Sequence, residues 1–296
     1  MTPRTITEKI LAAHALEGEI APGAIATIRP DVVLLNDISG PLAFSQFAAM
    51  GAQRVFDPER IVLVADHFAP AKDVESAEQL RLTARFAEQY GLRHHYGPGR
   101  GGIEHTLIAE LGLVGHGDIV FGADSHTCTA GAFNALGIGF GSSDLAAALA
   151  TGRLWLRVPA TIRVELTGRP GRFVSGKDVI LELIRRIGSD GALDAALEFG
   201  GPGVASLPMD ARMAVANMAV EAGADWCVFE GDATSLADMP ARGMAPRPAV
   251  LADPGATYAQ RLTIDLDTLQ PVIARPPSPA NGAAVGELAG TRVDQV

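Results

Sequence analysis

Cysteine is nearly missing from this chain. Cys128 and Cys227 are its only two, far apart in sequence, which excludes a disulfide framework and a Cys-x-x-Cys metal or redox pair and points to a reducing compartment. Basic charge is short as well: 24 Lys and Arg face 34 Asp and Glu, for a net charge of -10 and a pI near 5.2. The resulting field repels nucleic acid and anionic membrane surfaces, so neither is expected as a partner. No run of about 18 apolar residues occurs, so no bilayer-spanning helix is expected. The N-terminal MTPRTITEKILAAHA lacks a secretory pattern and instead carries Thr5 and Glu8 at capping-box spacing before an apolar helical repeat. A cytoplasmic protein is the expectation.

What is present is core-forming material: 48% hydrophobic and 20% charged residues over 296 positions, enough for one large domain or two intimate ones. Between residues 30 and 150, short β-branched runs (32–35, 61–65, 118–122) alternate with amphipathic segments (75–90, stopped by Gly91, then 103–112 and 143–151). That alternation predicts an α/β fold with at least partly parallel strands. After Pro159, TIRVELTG reads as a strand, and Ser175 and Asp178 stand at cap spacing before a helix with an apolar stripe of Val179, Ile180, Leu183, Ile184 and Ile187. A further helix, DARMAVANMAVEAG, leads to Gly223. The division expected is an α/β subdomain over 1–155, a second over 156–240 and an extended connection over 241–296.

Three apolar strands end abruptly in polar residues: VVLLND at Asn36 and Asp37, IVLVADHF at Asp66 and His67, and IVFGADSHTC at Asp124, Ser125 and His126. In parallel sheets, ligands collect outside the carboxyl ends of the strands. A carboxylate beside an imidazole fixes its tautomer and suits it to general acid work. A single Asp-His step reads most simply as a helix cap, but two acid/imidazole pairs at equivalent edges point to a site. His105 follows a Gly-rich turn and opens a helix, whose positive end disfavours protonation. His14, His94, His95 and His116 have no acidic or strand-end context and read as surface or structural residues. Asn217 and Glu221 share one helical face, and Glu221 is either solvated or buried with a partner. The string GIGFGSSD matches neither phosphate-loop pattern, and no Gly-x-Ser-x-Gly elbow surrounds Ser125, which argues against a serine hydrolase.

The strings VADHF, GIEH, GADSHTCTAGAFNALGIGFGSSDLA, EFGGPGVASLPMDARMAVANMAVEAGA and IDLDTLQPVIARPPSPAN together resemble the large subunit of the isopropylmalate isomerase (3-isopropylmalate dehydratase) branch of the aconitase superfamily, over almost the entire chain. The resemblance implies an aconitase-type three-layer α/β/α fold with mixed, partly parallel sheets. It also implies a cytoplasmic hydro-lyase that removes and re-adds water on a small di- or tricarboxylate, here in leucine biosynthesis, with a four-iron, four-sulfur cluster as Lewis acid. By motif match, Asp66 and His67 are implied to protonate the departing hydroxyl, and His105, Asp124, His126 and Glu221 to frame the pocket. Ser125, Asn36 and Asp37 are implied as substrate contacts and Asn217 as a cluster-side contact.

The chain departs from the pattern in three places. Asn36 stands where relatives carry Gln or His, and Glu104 and Ala216 stand where close relatives often carry Cys. The sequence also stops at GTRVDQV, before the Ser-Cys-Thr-Asn and Cys-x-x-Cys segments that supply the cluster ligands, so the fold is expected to be incomplete at the C-terminus and this span inactive alone. A small swivelling subunit is the implied partner, carrying the proton-abstracting serine. Two other readings remain at this point: a cluster-free mononuclear metal enzyme with Asp66, His67, His105, Asp124 and His126 as ligands, and a non-catalytic carboxylate-binding or assembly subunit.

Overall fold

The computed structural model describes residues 2–294. Its organising element is a five-stranded, wholly parallel sheet in the order His94–Tyr96, Ile61–Val64, Val32–Asn36, Ile119–Gly122, Leu136–Gly139. The three inner strands are buried along their whole length, as continuous apolar runs covered on both faces must be. Val32–Asn36, the first of these five strands in sequence, lies in the middle, and its successors are added first on one side and then on the other. That order creates a topological switch point beside Val32–Asn36, with a crevice outside the carboxyl ends.

A second, four-stranded parallel sheet runs Trp226–Phe229, Ala195–Gly200, Ala160–Thr167, Gln260–Asp265. Antiparallel pairing is confined to two small sheets. Ala15–Gly18, Ile25–Ile28 and Leu154–Arg157 form one, and the hairpin of Val272–Ala274 with Gly282–Ala284 forms the other. The α/β class is thus observed, with mixed pairing taking the form of separate sheets.

The capping boxes expected at Thr5/Glu8 and Ser175/Asp178 are both formed, opening the helices Ile6–His14 and Gly176–Ile187. The helix expected from DARMAVANMAVEAG is α-helical only over Met209–Asn217. It then tightens into 3-10 turns over Met218–Ala222 and closes on Gly223.

The two large sheets share one hydrophobic core. The 3-10 segment Ser125–Phe133 lies between them, packed on Leu136–Gly139 from one side and on Trp226–Phe229 and the helix Met209–Asn217 from the other. Small residues make that fit possible: a Cβ on Gly131 would stand 2.1 Å from the Cys227 carbonyl oxygen, and one on Gly137 1.8 Å from that of Thr127. The N-terminal helix also ties the halves together, since the Ile6 N–H donates to Glu198 on the second sheet at 2.9 Å.

Of the stretch 241–296, expected as an extended connection, residues 241–259 turn back onto the first half and Gln260–Asp265 joins the second sheet. Arg247 forms a two-pronged pair with Asp118 at 2.6 and 2.5 Å, and the Val250 N–H donates to Asn134 at 2.7 Å. His116 is held there as well, against the Arg247 carbonyl and the Ser235 hydroxyl, which gives it the structural role expected. His14 has an acidic partner that sequence distance concealed, Asp31 at 2.8 Å.

Candidate active site

The loops that leave three neighbouring parallel strands meet at the switch point. After Ile61–Val64 the chain turns through Asp66 and His67, with His67 Nδ1 2.6 Å from Asp66 Oδ1. Because an ionised carboxylate only accepts, the imidazole donates from Nδ1 and presents Nε2 on its other side. The second Asp66 oxygen accepts the Glu104 N–H at 2.8 Å. The helix Glu104–Glu110 has no side-chain cap of its own, so Asp66 supplies one from another loop and gains the favourable end of the helix dipole.

After Ile119–Gly122, Asp124 caps the 3-10 segment by accepting the His126 N–H at 2.7 Å, and the same oxygen accepts from His105 Nε2 at 3.1 Å. His126 Nδ1 lies 3.4 Å from that oxygen, and His67 Nε2 lies 3.9 Å from Asp124 Oδ2. The bond from His105, opposed by burial and helped by the His126 N–H, holds the Asp124 carboxyl well below the usual carboxylate range. Asp124 is therefore a fixed negative charge shared by three imidazoles.

Asp66, His67, His105, Asp124, His126 and Asn217 line one open cavity of about 380 Å³, with the exposed Ile103 at its rim. Asn217 sits at the end of its helix with its amide donating to Thr129 at 3.0 Å. Glu221 stands farther out, 3.7 Å from His126 Nε2. Ser125 is exposed, touches His126 Nδ1 at 3.3 Å, and lines a different, larger hollow of about 580 Å³ with Phe140, Trp155 and Trp226. That hollow contains no imidazole, so its size does not make it the site of the chemistry.

Asn36 and Asp37, expected to contact substrate, lie beneath the cavity floor. Asp37 is fully buried and accepts the His67 and Phe68 N–H groups at 3.1 and 2.7 Å, which sets the turn that aims His67. Asn36 accepts from the backbone of Ile38 and Ser39 and donates to Glu104 Oε1 at 2.9 Å. Both act as supports for groups that face the cavity.

Glu104 is the group that sequence reasoning missed, because GIEH drew attention to its histidine. It is 1% exposed, and its Oε2 has no hydrogen-bond partner. Burial raises its pKa to about 8 against the Asn36 hydrogen bond, and the charges of Asp66, Asp124 and Asp37 add to the rise. A carboxyl whose folded pKa exceeds its unfolded value binds more protons when folded, so its contribution to stability falls as pH rises through that interval. Glu104→Gln is accordingly expected to gain thermal stability relative to the parent as pH rises from 5 to 8, with little further change above. Melting curves of chelator-treated protein check this, and a pH-independent difference would contradict it.

Neither cysteine serves the cavity. Cys128 and Cys227 are 1% and 0% exposed, their thiols donate to backbone carbonyls, and burial pushes the Cys128 thiol up to about 12. An iron–sulfur cluster of the aconitase kind needs three or four thiolates, so the residues of this chain do not fit one.

A parallel sheet whose switch-point crevice gathers paired carboxylates and imidazoles is an α/β arrangement of the kind enzymes use. The aconitase family model (aconitate hydratase) matches residues 8–295, and the chain belongs to that family. It is 49% identical to the 3-isopropylmalate dehydratase large subunit of Nitratidesulfovibrio vulgaris, over 99% of this chain and 70% of that one. It is 48% identical to 3-isopropylmalate dehydratase large subunit 2 of Rubrobacter xylanophilus, over 99% and 69%. Among solved structures, aconitase X from Thermococcus kodakaraensis matches 88% of this chain and 62% of that one, at a TM-score of 0.47 and 13% identity. Among the described residues, no helix is long and apolar enough to cross a membrane.

Proposed function

We propose that this chain is the substrate-facing portion of a hydro-lyase large subunit that interconverts 3-isopropylmalate and 2-isopropylmalate by loss and return of water, in the cytoplasm and as part of leucine biosynthesis. The observation that carries the reading is the convergence of Asp66–His67, His105 and Asp124–His126 on one cavity. Hydroxide is a poor leaving group and needs a proton as it departs. His67, held by Asp66 through Nδ1, is placed to deliver that proton from Nε2 and to recover it when water returns. Asp124 holds the His105 ring through Nε2 and accepts the His126 backbone N–H, and the His126 ring supplies hydrogen bonds to the substrate's oxygens. Asn217 completes the lining, with Glu221 and Ser125 reaching it through their contacts with the His126 ring.

The relatives' designation as large subunits supports a small subunit as partner. The cluster that the family resemblance implies finds no thiolate ligands here, so no step is assigned to it, and its protein ligands are assigned to polypeptide outside this sequence. Anaerobic reconstitution of the chain with the cluster-bearing segment and small subunit of a relative is expected to dehydrate 3-isopropylmalate, read as the absorbance of the new carbon–carbon double bond. An assembly that holds the cluster yet acts on no malate-type acid would overturn the proposal.

A further inference from the structure

Beside the candidate active site lies a second open hollow of about 400 Å³, and the two share Asp66 and Ile103 on their walls. The rest of its lining is Ala65, Ala69, Pro70 and Pro98, with glycines of the turn ahead of the helix Glu104–Glu110. Among these lining residues only Asp66 has a polar side chain, and both of its oxygens are committed, one to His67 Nδ1 and the other to the Glu104 N–H. The lining therefore offers no cation and no side-chain donor.

Adjoining spaces of such different chemistry sort the parts of a substrate. The imidazoles of His67, His105 and His126 line the cavity and not the hollow. A carboxylate placed in the hollow would lose water, meet no cation and face the charge of Asp66. An alkyl group placed there exchanges water for apolar wall, which is favourable in proportion to the area covered, and Ile103, 68% exposed, has such a surface to cover. The turn leaves the space clear. Gly101 is packed against the sheet edge, where a Cβ would stand 3.1 Å from the carbonyl oxygens of Ala65 and Tyr96. A Cβ on Gly102 would meet nothing nearer than Leu107 at 3.9 Å, and its backbone is not left-handed. Position 102 has room for a side chain, and the lack of one keeps the hollow open.

We infer that this hollow receives the apolar substituent of the hydroxy acid, so that the chain itself selects malates bearing an alkyl branch, with Ala69, Gly102 and Ile103 as specificity-determining positions. The carboxylates and hydroxyl of the substrate stay with the imidazoles, and the branch passes over Ile103 into the hollow. The committed oxygens of Asp66 serve this division: they hold His67 for the polar end and leave the alkyl end without a hydrogen-bonding partner to displace. The inference rests on the hydro-lyase reading and adds to it the part of the substrate that this chain recognises by shape.

The test assembles this chain with the cluster-bearing segment and small subunit of a relative and compares kcat/KM for 3-isopropylmalate with that for malate. Gly102→Leu, which fills the hollow, is expected to cut the preference for 3-isopropylmalate at least tenfold, the least that apolar contacts of this kind are worth. The small subunit is the same in both assemblies, so a change in the ratio reports the hollow. A second measurement needs neither turnover nor a variant: in the chain alone, labelled with ¹³C in its alanine methyls, saturating 3-isopropylmalate is expected to shift the Ala69 resonance and malate to leave it in place. An unchanged preference in an active Gly102→Leu assembly, or an Ala69 methyl that answers both acids alike or neither, would overturn the subsite. An assembly inactive on every malate-type acid, with an Ala69 methyl that still answers the alkylated acid alone, would remove the hydro-lyase reading and leave the subsite standing.

Discussion

Replacement of His67 by Asn in the assembled two-subunit enzyme is expected to lower kcat by about 10²- to 10⁴-fold, the range that a positioned proton donor supplies, with a much smaller change in KM. Asn keeps polarity in the loop but has no proton to release near neutral pH. The backbone N–H of residue 67 still reaches Asp37, so the turn is retained and the loss reports chemistry. Asp66→Asn should behave differently. It leaves the imidazole without its anchoring carboxylate and weakens the cap on the helix Glu104–Glu110, so activity and thermal stability fall together. Steady-state kinetics with melting curves separate the two variants; a His67→Asn enzyme within tenfold of the parent kcat would remove His67 as the donor.

The largest stability effect is expected at Arg212, which does not line the cavity. Its side chain is fully buried and makes a two-pronged pair with Asp232 at 2.8 and 2.6 Å, while its remaining donors reach the carbonyls of Leu207 and Val204. Arg212 thereby joins the loop ahead of the helix Met209–Asn217 to the cap of the helix Ala233–Ala241, because Asp232 is also the residue that caps the latter. Arg212→Leu strands a carboxylate and two buried carbonyls, and the unfolding free energy should drop by about 3–5 kcal/mol. Urea denaturation measures it. The Arg212→Leu, Asp232→Asn double variant should recover part of the loss, since the stranded charge is gone; a single-variant loss under about 1 kcal/mol would contradict this account.

Much of the fold was legible because local chemistry and tertiary packing agree. The buried runs at 32–35, 61–65 and 118–122 are too apolar to lie at a surface, and both capping boxes declare their helices. Asp66, His67, Asp124 and His126 could be read from their place at strand ends, since a parallel sheet sends those ends to one edge, and His105 from the Gly-rich turn before its helix. Other features required coordinates. Asn36 and Asp37 occupy the same kind of position as Asp66 and His67, yet they turn inward, and nothing in a strand-end pattern distinguishes a residue facing a cavity from one bracing it. Glu104 reads in sequence as the ordinary acidic residue of a helix's first turn; only the carboxylates gathered around it from other loops make it unusual. The pairing of Ile25–Ile28 with Leu154–Arg157 spans more than a hundred residues and leaves no local trace.

The wedge formed by Ser125–Phe133 bears on how the cavity can move. Asp124 and His126 are welded to a backbone pinned from both sides, with no room at Gly131 or Gly137 for even a methyl group. Any widening to admit substrate is therefore expected at the stretches that carry His67 and Ile103, whose side chains are exposed. The fixed charge of Asp124 thus sits on the side of the cavity that close backbone packing holds still.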